Sequence, residues 1–251
     1  MWKYFLFDLD GTLTESGPGI KNGVRYALQS IGIVEEDEAV LETFIGPPLV
    51  ESFAREYGKT SEEGFRLQDV FREYYQDQGV YENEPYLGVH SLLRNLREKG
   101  CVLVLASSKP LDMATKVLTH FDLQQYFDIV VCGEDQGLLF TKKGVIAEAL
   151  RRCAMKEFHQ GIDSVSASGR GSFDESHHNH VTEEELELIK KRAVMIGDRI
   201  YDMEGAGANG IPAVGAGWGY APAGELEGSE AVRVCKDICE LETYLREQIN
   251  G

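Results

Sequence analysis

Four short apolar runs rich in Val, Ile, Leu and Phe recur along the 251-residue chain, at 2–8, 101–106, 127–132 and 193–197, with helix-patterned sequence between them. Continuous apolar runs of this kind suit strands buried on both faces. The long helical stretches that separate them suit parallel crossovers rather than hairpins. The pattern predicts a parallel sheet covered by helices on both sides, with a further strand at 211–215 and a weaker one at 231–235. Helices are expected at 88–99, where Leu92, Leu93 and Leu96 share a stripe, and at 110–120, 142–153, 200–209 and 237–248.

Residues 16–80 break the alternation, with four helical patterns and no convincing strand. The first has Ser16 as a candidate N-cap, Pro18 in its first turn, and Ile20, Val24, Leu28 and Ile31 at helical spacing. The second opens on the acidic turn Glu35 to Glu38, suited to the positive end of a helix. Gly46-Pro47-Pro48 interrupts the chain. A third helix then runs to Tyr57, and a fourth carries Phe65, Val70, Phe71 and Tyr74. The expected fold class is therefore α/β: a Rossmann-like parallel sheet core (1–15 and 81–251) with an all-helical, four-helix unit (16–80) inserted after the first strand.

Residues 154–192 are expected to form an excursion from the core. They include a Ser-, Gly- and His-rich tract without periodicity and an acidic helix near 182–192. His177, His178 and His180 are read as part of a solvated, flexible loop rather than as metal ligands, because clustered histidines alone are a weak metal signal.

The net charge of −17 disfavours nucleic acid and anionic membranes as partners. An anionic substrate would need a metal or a few placed lysines to draw it in. No run approaches the ~18 continuous apolar residues of a membrane span, and the apolar N-terminus is cut short by Asp8. Five scattered cysteines give no disulfide framework; Cys235 and Cys239 are read as ordinary thiols, and a cytoplasmic location is expected.

The chemistry-bearing residues lie at predicted strand ends and helix starts. In "YFLFDLDGTLTES" an apolar strand ends at Asp8, Asp10 follows, and Gly11 permits a sharp turn. Ligands of open α/β sheets sit beyond such carboxyl ends. In "AVMIGDRIYDMEGA" another strand delivers Asp198, with Asp202 four residues on. Each pair alone could be turn carboxylates or acids dressing a helix start. Together, converging acids repel unless a cation lies among them, and a small set of oxygen ligands suits Mg²⁺ that keeps some of its water. In "VLVLASSKP", Ser107 and Ser108 precede Lys109 and a helix-opening Pro110, which makes either an ordinary cap or a phosphate cradle. Lys142 begins a helix in "LLFTKKGVIAEAL", where the dipole disfavours positive charge; it suggests a local anion, with Lys143 a close competitor.

In this order, these motifs resemble those of the haloacid dehalogenase superfamily: Asp-x-Asp-Gly-Thr, Ser, a helix-opening Lys and Gly-Asp-x-x-x-Asp. The inserted helices, "SGPGI", "FIGPP" and "GIPAVGAGWGY" are similar to its phosphoglycolate phosphatase-like branch with a helical cap. The resemblance spans nearly the whole chain except about 154–192. It implies a Mg²⁺-dependent phosphatase in which Asp8 is the nucleophile that takes the phosphoryl group. Asp10 would protonate the leaving oxygen and then deprotonate water, with a neighbouring anion favouring a proton on Asp10. Mg²⁺ would be held by Asp8, the Asp10 backbone carbonyl and Asp198, with Asp202 reached through water. Ser107 and Lys142 would hold phosphoryl oxygens, with Ser108, Gly11 and Thr12 beside them. Glu15, Ser16 and the Gly46-Pro47 turn would face a small phosphorylated metabolite of phosphoglycolate or 5'-nucleotide type, in a monomer or homodimer. The presence of Asp10 separates this chain from dehalogenases and ion-pumping ATPases. A sugar phosphomutase and a non-enzymatic receiver-like module that holds phospho-aspartate are the competing readings.

Overall fold

The computed structural model describes residues 1–134, 137–159 and 181–250. Six parallel strands form one sheet in the order β5-β4-β1-β6-β7-β8. They are β1 (Tyr4–Phe7), β4 (Val102–Pro110), β5 (Ile129–Gly133), β6 (Ala193–Gly197), β7 (Ala213–Ala216) and β8 (Arg233–Cys235). Every residue of β1 and β6 is buried. On β1, Phe5 and Phe7 join one apolar cluster with α5 (Val89–Glu98), α6 (Leu111–His120) and α10 (Ile238–Asn250). Tyr4 and Leu6 join the cluster on the opposite face, against α7 (Lys142–Phe158), α8 (Glu183–Lys190) and α9 (Ile200–Ala208). This is the period-two geometry of a strand whose two faces both meet helices, and it accounts for the unbroken apolar runs.

Beyond β1 the chain builds β4 and β5 on one side, then crosses to β6, β7 and β8 on the other. The carboxyl end of β1 is therefore the switch point of the sheet, where a crevice opens. Asp8 stands there, its backbone N–H donating to the Ile196 carbonyl of β6 at 2.9 Å.

The helical unit is tied to this point by a two-stranded antiparallel ribbon, β2 (Thr14–Glu15) with β3 (Glu84–Pro85). Between the ribbon strands lie α1 (Gly17–Gln29), α2 (Glu38–Glu42), α3 (Leu49–Tyr57) and α4 (Ser61–Asp77). Helix α4 starts on a capping box in which Thr60 and Glu63 satisfy each other's backbone donors. Its buried stripe is Gly64, Leu67, Phe71 and Tyr75, so Phe65 points to solvent, 52% exposed, and Tyr74 lies off the stripe. Helix α1 passes close over α4 because Gly23 carries no side chain: a Cβ there would stand 2.6 Å from the Phe71 ring.

Several expected boundaries shift for local reasons. Ser16 precedes α1, but its buried hydroxyl makes no capping bond. Ile31 lies beyond the end of α1 and is 46% exposed. Helix α2 begins only at Glu38, with Asp37 as the side-chain cap accepting from Ala39 N–H. Strand β4 runs four residues past its expected end at Ala106, through a register irregularity between Ser107 and Pro110. Helix α7 continues to Phe158 because Cys153 and Ala154 still face the core. The reading of the histidine tract as a solvated loop falls on residues 160–180, outside the described residues.

Candidate active site

The loop after β1 and the loop after β6 face each other, and the gap between them closes on three carboxylates. Oxygens of Asp8, Asp198 and Asp202 lie within 4.8 Å of one another. Gly11 makes this approach possible. Its φ of +78° suits glycine, and a Cβ there would meet Asp198 Oδ2 at 2.1 Å. Asp198 is held by the Tyr220 N–H at 2.8 Å and by the Thr12 hydroxyl at 3.3 Å. Asp202 sits in the first turn of α9 and accepts from the Arg199 N–H at 3.1 Å, which caps the helix and turns the carboxylate inward.

Lys142, the first residue of α7, lies 3.0 Å from Asp8 Oδ1 and 2.9 Å from Asp202 Oδ1, and donates to the Ala106 carbonyl at 3.2 Å. It is buried, whereas Lys143 is exposed. The anion that justifies a lysine at this helix start is thus a pair of carboxylates. Burial alone would lower the Lys142 ammonium pKa; Asp202 and Asp8 outweigh it and hold it above its ordinary value. Burial also pushes the Asp198 carboxyl well above the usual carboxylate range, with Asp202 and Asp8 adding to the rise. Asp202 is raised for the same first reason, only partly countered by Lys142. Three carboxylates therefore share one ammonium. Buried anions short of positive charge, with oxygen-only donors, fit a divalent cation such as Mg²⁺.

Asp10 has a partner of its own, apart from this cluster. Both its carboxylate oxygens accept from Lys109 Nζ, at 3.0 and 2.9 Å, and Lys109 Nζ lies 2.6 Å from the Tyr75 hydroxyl on α4. The expected anionic neighbour of Asp10 is thus a cation. Burial again works against the Lys109 charge, but Asp10 and Tyr75 raise its pKa above the ordinary value. The sequence carries no signal for Lys109, because Ser-Ser-Lys-Pro reads as the cap of a helix opening at Pro110, with the lysine an ordinary part of that cap. In the longer β4, period-two alternation buries Ser107 and Lys109 and exposes Ser108. The Ser107 hydroxyl accepts from the Lys109 N–H at 3.3 Å, so its own hydrogen remains for a ligand oxygen.

These groups open into a cleft of about 580 Å³ between sheet and helical unit, lined on the sheet side by Asp8, Asp10, Ser107, Ser108, Lys142, Asp198 and Asp202. The facing wall is mainly apolar, with Phe44, Ile45, Phe71 and Tyr75 and the Gly46-Pro47-Pro48 turn at its edge, and Glu51, Gln68 and Arg72 are its polar members. Arg199 bridges the two sides. Its guanidinium donates to the Ile45 carbonyl, and its Nε lies 3.1 Å from Glu225. Four residues expected at the ligand fall elsewhere. Glu15 is exposed on β2, outside the cleft. Thr12 is turned to Asp198, and Gly11 serves as the close-approach point below it. Ser16 is buried and lines no part of the cleft.

Residues 5–160 match the model of the haloacid dehalogenase-like hydrolase family. A 5'-nucleotidase of Pseudomonas aeruginosa is 32% identical over 96% of this chain and 94% of its own length. The tyrosine-protein kinase PtkA of Mycobacterium tuberculosis is 32% identical over 87% of this chain, which spans 63% of that relative. Among solved structures, a predicted phosphatase from Clostridium acetobutylicum superposes with a TM-score of 0.79 at 35% identity, covering 98% of this chain and 99% of its own. With the motif residues gathered at the switch point of the sheet, the chain belongs to the haloacid dehalogenase-like hydrolase family, as one of its phosphoric monoester hydrolases.

Proposed function

We propose that the protein hydrolyses a small phosphate monoester, foremost a nucleoside 5'-monophosphate, through a phosphoryl group carried on Asp8 and with Mg²⁺ as cofactor. The observation that carries this reading is the separate pairing of two carboxylates that line one cleft. Asp8 is paired with Lys142 in the acidic cluster, and Asp10 with Lys109.

In this reading Asp8 attacks phosphorus while Lys142 and the Ser107 hydroxyl hold phosphoryl oxygens. Asp10 protonates the departing oxygen, then takes a proton from the water that cleaves the acyl phosphate. Asp8, Asp198 and Asp202, with the Asp10 carbonyl, would hold Mg²⁺, which supplies charge neutralisation at the transferring group. The cap excludes water and shapes the space for the leaving group. The nucleotide is favoured over phosphoglycolate by the size of the cleft, about 580 Å³, and by the apolar share of its far wall, which suits a ring. The name of the P. aeruginosa relative points the same way. All five cysteines are free thiols, four of them buried, which supports a reducing, cytoplasmic setting.

A panel of nucleoside 5'-monophosphates, phosphoglycolate and phosphotyrosine, assayed with Mg²⁺ and with Asp8→Asn as the blank, tests the reading. The nucleotides should give the highest kcat/KM. Similarity to PtkA favours a second reading, transfer from a nucleotide to tyrosine. Phosphorylation of a tyrosine peptide from ATP, with no turnover of any monoester, would select it.

The acidic cluster gives a metal-specific prediction. Ionisation of Asp198 and Asp202 is disfavoured in the fold, because their folded values lie above the ordinary 3.8. The metal-free protein should therefore gain stability as the pH falls from neutral through about 6, the raised value of Asp202. At neutral pH Mg²⁺ should raise Tm. Asp198→Asn should raise the metal-free Tm, by about 2–4 °C for each ~1 kcal/mol of repulsion relieved, and abolish the Mg²⁺ increment. Melting curves with EDTA and with Mg²⁺ read both. An undiminished increment in the variant would remove Asp198 from the metal site.

A further inference from the structure

We propose that Tyr75 and Lys109 are positioning residues for Asp10, through which the docked cap determines whether the acid/base carboxylate is in place. The inference rests on the reading of Asp10 as acid and base. An ammonium has three hydrogens, and three polar atoms surround that of Lys109: the two oxygens of Asp10 and the Tyr75 hydroxyl. Lys109 and Asp10 belong to the core, but Tyr75 belongs to the cap. It is 2% exposed, its ring is stacked on Phe71 with centroids 5.0 Å apart, and the Lys109 ammonium lies 4.7 Å from its centroid. The hydroxyl reaches Lys109 only while α4 rests on the sheet domain. Without it, a buried donor loses its partner, and the ammonium must turn or hydrate, which frees the carboxylate it grips.

Lys142 makes the contrast. Its contacts are Asp8, Asp202 and the Ala106 carbonyl, all from the sheet domain. The nucleophile is thus steadied by the core alone, whereas the acid/base group is steadied across the cap boundary. Transfer before the cap has settled on a substrate is thereby disfavoured.

The chemistry supplies a readout that a loosened structure would not mimic. In the first step the Asp8 oxygen–phosphorus bond forms and the phosphorus–leaving oxygen bond breaks. The electron pair goes to the leaving oxygen, which takes the proton from Asp10. In the second step a water oxygen bonds to phosphorus and its proton passes to Asp10. The electron pair of the Asp8–phosphorus bond returns to Asp8. A ribose alkoxide needs the Asp10 proton to depart, whereas p-nitrophenolate is stable without it.

The experiment is a single-turnover measurement of phosphoryl transfer from adenosine 5'-monophosphate and from p-nitrophenyl phosphate, with Mg²⁺. Tyr75→Phe should slow the nucleotide about 10-fold and Lys109→Met about 100-fold, with losses on the aryl ester several-fold smaller in each case. The double variant should be no slower than Lys109→Met alone, since both act through one carboxylate. Lys116→Met serves as comparator. It removes another cap–core bond, to the Gln76 carbonyl at 2.8 Å, while leaving the Tyr75–Lys109–Asp10 contacts intact, and should leave both esters near their wild-type rates. Equal losses on the two esters in Tyr75→Phe and Lys109→Met, no loss, or additive losses would each overturn the proposal. Asp10→Asn separates the two levels. Without an ester-selective loss there, the acid/base reading itself falls. With that loss present but absent from Tyr75→Phe and Lys109→Met, only the positioning role falls.

Discussion

Lys142→Met should yield a protein that melts far below the wild type and turns over its substrate at least ~10³-fold more slowly. The ammonium is buried between Asp8 and Asp202, at 3.0 and 2.9 Å, beside the already crowded Asp198. Methionine matches the stem in shape but leaves three buried carboxylates facing one another without a cation. Removing one partner of a buried ion pair costs about 3–5 kcal/mol, which for a chain of this length lowers Tm by roughly 6–20 °C. Mg²⁺ should restore part of the stability, because it supplies positive charge to the same carboxylates, but not the activity, because the hold on the phosphoryl oxygens is gone. Lys143→Met removes only an exposed charge and should change Tm little. Melting curves with and without Mg²⁺, beside steady-state kinetics, read all of these outcomes. If Lys142→Met melted like the wild type in the absence of metal, the account of the acidic cluster would be wrong.

Asp8→Asn should keep the fold and lose activity by at least ~10⁴-fold, the scale seen when a covalent nucleophile is removed. The amide oxygen can still accept from the Leu9 N–H, which bonds Asp8 Oδ1 at 2.8 Å, and from Lys142. It also relieves one of the three mutually repelling charges, so stability should not fall. What the amide cannot do is attack phosphorus and carry the phosphoryl group. Circular dichroism and melting curves separate this outcome from unfolding, and kcat measures the chemical loss. The loss should persist at saturating substrate, because the residue acts after binding.

Much of this site is legible in the sequence, for a definite physical reason. Strands buried on both faces must be continuously apolar, so Asp8 and Asp198 stand out as the points where β1 and β6 leave the core. The lysine at a helix start was legible as a conflict with the dipole. The choice between Lys142 and Lys143 was not, because one residue of helical rotation decides which side chain enters the core. Lys109 escaped because β4 continues through an irregularity to Pro110, and Ser-Ser-Lys-Pro is equally the mark of a helix start. Tyr75 escaped for a different reason. Its bond to Lys109 joins residues 34 apart that belong to separate folding units, and no periodicity encodes how two units dock. Within α4 the aromatic residues drew attention to Phe65 and Tyr74, whereas the helical period selects Gly64, Leu67, Phe71 and Tyr75. Glu15 shows the opposite case: it is expected to face the substrate beneath the cap, but on β2 it is exposed and lines no part of the cleft.

The most direct test of the central claim is chemical capture of the phosphorylated residue. Wild-type protein mixed with substrate and Mg²⁺, quenched in acid within one turnover and mapped by mass spectrometry, should carry an acid-stable, hydroxylamine-labile phosphoryl group on the peptide containing Asp8. With p-nitrophenyl phosphate, whose leaving group departs without the Asp10 proton, Asp10→Asn should accumulate it, because water attack on the acyl phosphate loses its base. Phosphate release with no phosphoryl group on Asp8 at any time, or with the group on another residue, would contradict the account.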